Sequence, residues 1–119
     1  MKKIKAIKID VQKEDVYEME IGCDYKELYP AIGNNCTMFT CPFEYPNGDG
    51  LFCDDEILLR QEDMVGAFKY PDWDVPIVNN AVILGVDDEG DSVDVKSTVE
   101  EIKKDLKFIN IDQLLRFQY

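Results

Sequence analysis

The sequence predicts a small α+β domain, one unit over residues 1–119, with a mostly antiparallel sheet and two or three helices. Three features carry that expectation. Strand-like segments come in pairs joined by short turns, which antiparallel pairing allows and parallel crossovers do not. The continuous apolar run Ala81–Val86 has strand length and no polar face, as expected of a central strand covered on both sides. A capped amphipathic helical stretch follows it, starting at Ser97.

Each element has its own signal. Ile4, Ile7 and Ile9 alternate with Lys3, Lys5 and Lys8, broken once at Ala6, which reads as a strand with one solvated basic face. After the polar turn Gln12–Asp15, the segment Val16–Ile21 alternates again, so residues 3–21 read as a hairpin. Asp24 suits a helix N-cap with Glu27 as its capping-box partner. Tyr25, Leu28, Tyr29 and Ile32 then share one helical face, Gly33 suits the left-handed end, and Pro30 should shorten the helix. Cys36–Phe43 and Leu51–Cys53 read as strands around Asn47-Gly48, a type I′ turn dipeptide. Glu56–Phe68 reads as a short helix, and the two prolines of Tyr70–Pro76 make that segment irregular. Asp87–Asp91 is an acidic turn with a return strand at Val93–Val95. Ser97 and Glu100 form a capping box ahead of the stripe Val99, Ile102, Leu106 and Ile109. Lys103, Lys104 and Lys107 suit the negative end of that helix. Ile111–Phe117 either continues it or breaks into another element.

Composition restricts the chemistry. The chain has no histidine, which excludes Ser-His and Cys-His nucleophile pairs and imidazole metal ligands. Carboxylate, lysine, tyrosine and thiolate chemistry stays open, but no catalytic residue stands out and an enzyme is not expected. The four cysteines, Cys23, Cys36, Cys41 and Cys53, lack the two close pairs of a zinc site. They read first as small buried hydrophobes; a zinc site and a Cys41–Cys53 disulfide are the alternatives. Lys2 and Lys3 imitate a signal peptide, yet Lys5 and Lys8 interrupt the apolar region that would follow, and no run approaches membrane-spanning length. A cytoplasmic protein is expected.

The charge is uneven. Net charge is −12; residues 21–95 carry three basic side chains (Lys26, Arg60, Lys69) against sixteen acidic ones. That middle offers no basic stripe for direct nucleic-acid binding and no attraction to anionic lipid, so neither nucleic acid nor membrane is an expected partner. Two acidic clusters stand out: Asp54, Asp55 and Glu56 after a strand, and Asp87, Asp88, Glu89 and Asp91 in the later turn. The second fails the EF-hand pattern, because Gly90 falls at position four and Thr98 at position twelve. No metal and no cofactor is expected, and neither glycine-rich phosphate-loop pattern is present. Phe68, Tyr70 and Trp73 surround Pro71 and either plug the end of a small core or offer a ring for stacking.

The order of motifs is distinctive. A lysine-rich opening strand precedes a Tyr25-Lys26-Glu27-Leu28 helix that ends at Ala31-Ile32-Gly33. A strand from Cys36 to Phe39 follows, and the segment Pro76–Asp91 then leads into a capped helix. This resembles the family "domain of unknown function 3846" over about residues 3–108. The family usually has Gly-Asn where this chain has Asn79-Asn80, and its first helix usually lacks proline. No catalytic residues come with that resemblance. It implies an accessory gene of a phage, plasmid or other mobile element in a bacterial host.

Three functions compete. The first is a non-enzymatic acidic protein that binds a basic surface of a host protein through the two acidic clusters, as a DNA mimic or anti-defence inhibitor; duplex DNA itself carries one charge per about 1.7 Å. It requires the mid-chain carboxylates to gather on one face. The second is a small-ligand or nucleotide binder using Arg60, Lys69, Tyr70 and Trp73, with lysines from the chain ends converging there. The third is a metal-assisted enzyme built on Asp54, Asp55, Asp87 and Asp91. Exposed edge strands would also let two copies pair as a homodimer.

Overall fold

A computed structural model describes residues 2–116. It begins with the expected hairpin, β1 (Lys3–Asp10) and β2 (Asp15–Gly22), in the register Ile4↔Ile21 and Ile9↔Val16. β1 differs from the expectation in that neither face is solvated along its whole length. Ile4 and Ala6 face one core, and Ile7 and Ile9 face another across the sheet. Lys3 and Lys5 are exposed, and Lys8 is half-buried.

Asp24 caps the next segment by accepting from the Lys26 N–H, and no bond to Glu27 completes a box. One 3-10 turn, Tyr25–Glu27, runs into the short helix α1 (Leu28–Ile32). Leu28, Ala31 and Ile32 are buried, but Tyr25 is exposed and leaves the expected apolar face. Pro30 is tolerated because it sits in the first turn, where backbone N–H groups have no intrahelical partner. Gly33 ends the helix at φ 77°.

β3 (Phe39–Glu44) and β4 (Gly50–Asp54) form the second hairpin. Its turn is not type I′: Gly48 takes the positive φ, and Asn47 accepts from the Asp49 N–H. Between Thr40↔Cys53 and Phe43↔Leu51 the register slips, leaving Cys41 and Pro42 opposite Phe52. An edge strand tolerates that proline because no neighbour needs its N–H.

The expected helix over 56–68 is absent. Two 3-10 turns, Ile57–Leu59 and Gln61–Asp63, give way to β5 (Ala67–Lys69). Next come β6 (Ile77–Val78), β7 (Ala81–Val86) and β8 (Ser92–Val93). The last helical stretch is also shorter than expected. α2 (Val99–Lys103) stops after five residues, β9 (Lys107–Ile109) follows, and α3 (Ile111–Leu115) starts afresh. Leu106 and Ile109 fit a helical stripe, but pairing with β5 buries Ile109 against Ala67 and completes a second sheet. The stripe period was satisfied locally and overridden by a partner strand. Phe117 lies outside the described residues.

The main sheet has the order β2-β1-β7-β4-β3, with β8 added on β7; the second has the order β6-β5-β9. Every pairing is antiparallel. β7 is central, as its sequence predicts. One face of the sheet packs on α1, and the other on Phe68, Ile102 and the aromatic residues of 43–73. Gly85 lets β8 approach, since a Cβ there would run into the Asp94 carbonyl oxygen. The four cysteines are unbonded; Cys36 and Cys53 are buried, while Cys23 and Cys41 are exposed. The exposed pair departs from the buried-hydrophobe expectation. No described helix is long and apolar enough to cross a membrane.

Candidate functional site

The sheet register decides the fate of the acidic clusters. Cys53 pairs with Ala81 and Gly50 with Leu84, so β4 runs toward the start of β7. Asp54, Asp55 and Glu56 therefore lie at one end of the sheet, and Asp87–Asp91 at the other. The six residues of β7 separate them by roughly 20 Å at about 3.3 Å per residue. The two clusters therefore do not join into one patch. The four carboxylates of the metal-enzyme reading do not converge either.

Asp54 is not a surface charge at all. It is buried, and Arg60 Nη2 donates to it at 2.6 Å. Arg60 Nε donates to Asp63 at 2.8 Å, and Nη2 also reaches the Asn34 carbonyl. Asp54 and then Asp63 hold the guanidinium's proton more tightly than usual, while Arg60 pulls the Asp63 carboxyl below its ordinary range. Arg60 is thus committed to internal carboxylates and does not join Lys69, Tyr70 and Trp73. Asp55 is exposed and Glu56 half-buried, with its N–H donating to Asp54.

The later turn is different. Asp87, Asp88, Glu89 and Asp91 are all exposed, and no lysine or arginine among the described residues pairs with them. Asp87 is structural, because its carboxylate accepts from the N–H groups of Glu89 and Asp91. Asp24 and Asp91 line one shallow hollow beside this turn.

The aromatic segment builds something more enclosed. Phe68 is fully buried and serves as core. Tyr70 and Trp73 are half-buried with ring centres 5.1 Å apart at 89°, and Phe43 and Tyr45 pack edge-on beside them. Such contacts contribute about 0.5–1.5 kcal/mol each beyond area burial. The Tyr70 hydroxyl donates to the Ile102 carbonyl at 2.6 Å, so the Tyr45 hydroxyl donates to Tyr70 at 3.0 Å. Burial pushes both phenols above their usual range. The aromatics close the core, and Tyr70 and Trp73 keep part of their rings at the surface.

Tyr70 is a wall of two concavities. On one side lies a cleft of about 330 Å³, lined by Lys69, Tyr70, Pro71, Lys107, Ile109 and Gln113. On the other is a shallower groove of about 290 Å³ with Phe43, Tyr45, Trp73, Asp72, Glu101, Lys104 and Asp105. Lys107 and Gln113 are the residues that sequence reasoning missed. Both depend on the break after α2, and one signal marked it. Asn110 and Gln113 form a capping box, Asn110 Oδ1 accepting from the Gln113 N–H and Gln113 Oε1 from the Asn110 N–H. That pattern starts a new helix and frees residues 107–109 to be a strand.

Three buried polar residues were also missed, and each ties together segments that are apart in the chain. Asn79, at φ 70°, accepts from the Val65 N–H and donates to the Asp63 carbonyl. Asn80 accepts from the Val11 N–H and donates to the Ile32 carbonyl. Asp49 is fully buried and accepts from Lys96 N–H, Ser97 N–H and the Ser97 hydroxyl. With Ser97 so engaged, the α2 capping box shifts by one residue to Thr98 and Glu101.

The sequence model of one family, described as Domain of unknown function (DUF3846), matches residues 4–107, a span that takes in Lys69, Tyr70, Trp73 and Lys107. No curated protein and no solved structure matches the chain.

Proposed function

This chain belongs to the family described as Domain of unknown function (DUF3846), and on that premise we propose that it is a non-enzymatic binding protein for a small molecule seated around Tyr70. The observation that carries the reading is the position of that ring. It separates two adjoining concavities, and two hydrogen bonds through its hydroxyl hold it in place. A wall immobilised before the ligand arrives spares the ordering cost of binding. The larger hollow, about 330 Å³, is at the small end of ligand sites. The phage or plasmid context that the family resemblance implies would place this binding in a bacterial cytoplasm.

The test is release of bound small molecules from the purified protein by denaturation, read by mass spectrometry, together with thermal melting in a metabolite panel. Binding of a compound to the folded state alone raises the melting temperature by mass action, and a Tyr70→Ala variant should lose that rise. A panel with no shift and an empty extract would refute the reading.

A second reading keeps the acidic surface. The turn Asp87–Asp91 carries exposed carboxylates with no cation paired to them among the described residues, and Asp24 lies beside it. This favours docking of a basic surface of a host protein at that end alone, without Asp54, Asp55 and Glu56. Capture that weakens steeply as salt rises would support it.

A further inference from the structure

We propose that the lysine side of Tyr70 is a phosphate seat: Lys69 and Lys107 clamp the phosphoryl group of a small ligand whose uncharged part lies along Tyr70. This rests on the binding reading above and names the chemistry of its ligand.

Antiparallel pairing of β5 with β9 places Lys69 directly opposite Lys107. Residues paired in this way have Cβ atoms about 5 Å apart on the same face of the sheet, and like charges there destabilise the pairing. Both side chains line the same cleft. Neither has a carboxylate within ion-pair distance among the described residues. The chain has 25 acidic residues against 13 basic ones, yet among the described residues no carboxylate lines this cleft. Two facing cations with no counter-charge among the described residues are unfavourable in the empty protein and favourable around a dianion.

The rest of the lining suits the same group. Gln113 spends its Oε1 as an acceptor on the Asn110 N–H, so its Nε2 hydrogens are what it has left to offer. Ile109 and Pro71 supply apolar surface beside the two lysines. The carboxylates Asp72, Glu101 and Asp105 all lie in the groove beyond Tyr70. Charge alone therefore directs an anionic group to the lysine side.

The test uses the full chain and three probes by calorimetry: adenosine 5′-monophosphate, ribose 5-phosphate and adenosine. The two phosphorylated probes should bind, and adenosine should bind at least about 10-fold more weakly than its monophosphate, the loss of one or more charge-assisted bonds. A Lys69→Gln/Lys107→Gln variant should lose about 10-fold or more in affinity for both phosphorylated probes. Its melting temperature without ligand should equal or exceed that of the wild type, because the repulsion is gone. Adenosine binding as tightly as its monophosphate would overturn the phosphate seat and leave the Tyr70 reading standing. Phosphorylated probes that bind the double variant equally well would also overturn it. Failure of all three probes at millimolar concentration would overturn the seat, and the metabolite panel then decides the Tyr70 reading separately.

Discussion

The Asp49 carboxylate holds Ser97 twice, accepting from its backbone N–H at 2.8 Å and from its hydroxyl at 2.7 Å. Asp49 is completely buried, and Asn47 Nδ2 donates to the same hydroxyl. Two residues far apart in the chain thus tie the β3–β4 turn to the start of α2. Asp49→Ala should cost about 3 kcal/mol or more, because it strands the Lys96 and Ser97 N–H groups at about 1–3 kcal/mol each. Ser97→Ala should cost about 1–2 kcal/mol. Urea unfolding reads both; a loss below about 0.5 kcal/mol for Asp49→Ala would show that water replaces the carboxylate.

Arg60 neutralises a buried charge, so removing it should hurt more than a surface ion pair would. Arg60→Met leaves Asp54 unpaired and should cost about 2–3 kcal/mol at neutral pH, reduced from the fully buried case because Arg60 is partly solvated. The double variant Arg60→Met/Asp54→Leu should recover much of that loss, since an uncompensated buried charge is the cause. Chemical denaturation of the pair as a double-mutant cycle checks this.

Asp63 has its carboxyl pulled down chiefly by the hydrogen bond from Arg60. A lowered carboxylate pKa adds stability that is fully present above the unfolded value of about 3.9 and is lost as pH falls through the folded value. Asp63→Asn should therefore flatten the acid limb of the stability–pH curve below about pH 4 and leave its alkaline limb unchanged. Melting temperature against pH for the two proteins gives the comparison.

Two thiols should react more slowly than the exposed ones. Burial pushes Cys53 up to about 12 and Cys36 up to about 11, with Asp54 adding to both. A raised thiol pKa adds stability that is complete below the unfolded value of about 8.5 and fades as pH rises toward the folded value. Iodoacetamide at pH 8 should label Cys23 and Cys41 first, and reach Cys36 and Cys53 only through unfolding. Peptide mapping against time distinguishes the two classes, and equal rates at all four would contradict the burial.

The exposed part of the acidic turn should tolerate charge reversal. Asp88→Lys/Glu89→Lys/Asp91→Lys spares Asp87, whose carboxylate holds the turn, and should change stability by no more than about 1 kcal/mol. If this end docks a basic protein surface, the same variant should lose salt-sensitive capture. Full capture by the triple variant would remove the turn as a contact.

Local physics made much of the architecture legible in the residues themselves. The alternation of Ile7 and Ile9 with their lysine neighbours, the apolar run Ala81–Val86, the Asp24 cap and the left-handed Gly33 each depend on groups within a few positions of one another. The edges of the main sheet emerge only in the fold. Glu18 and Glu20 are exposed on β2, and Pro42 sits in the β3 bulge, features that discourage strand addition at either edge of the main sheet. The stripe from Val99 to Ile109 misled because helix and strand both satisfied it, and only the presence of β5 across from residues 107–109 settled the choice.

By itself, the sequence determined an antiparallel α+β domain, a charge surplus concentrated in mid-chain and a chemistry without imidazole. Tertiary structure alone decided where charges meet: Arg60 on Asp54, Lys69 against Lys107, and the two acidic clusters at opposite ends of β7. The reason is one of range. Hydrogen-bond caps and side-chain periods act over three or four residues, whereas Coulomb pairing and strand register join residues that chain order keeps far apart.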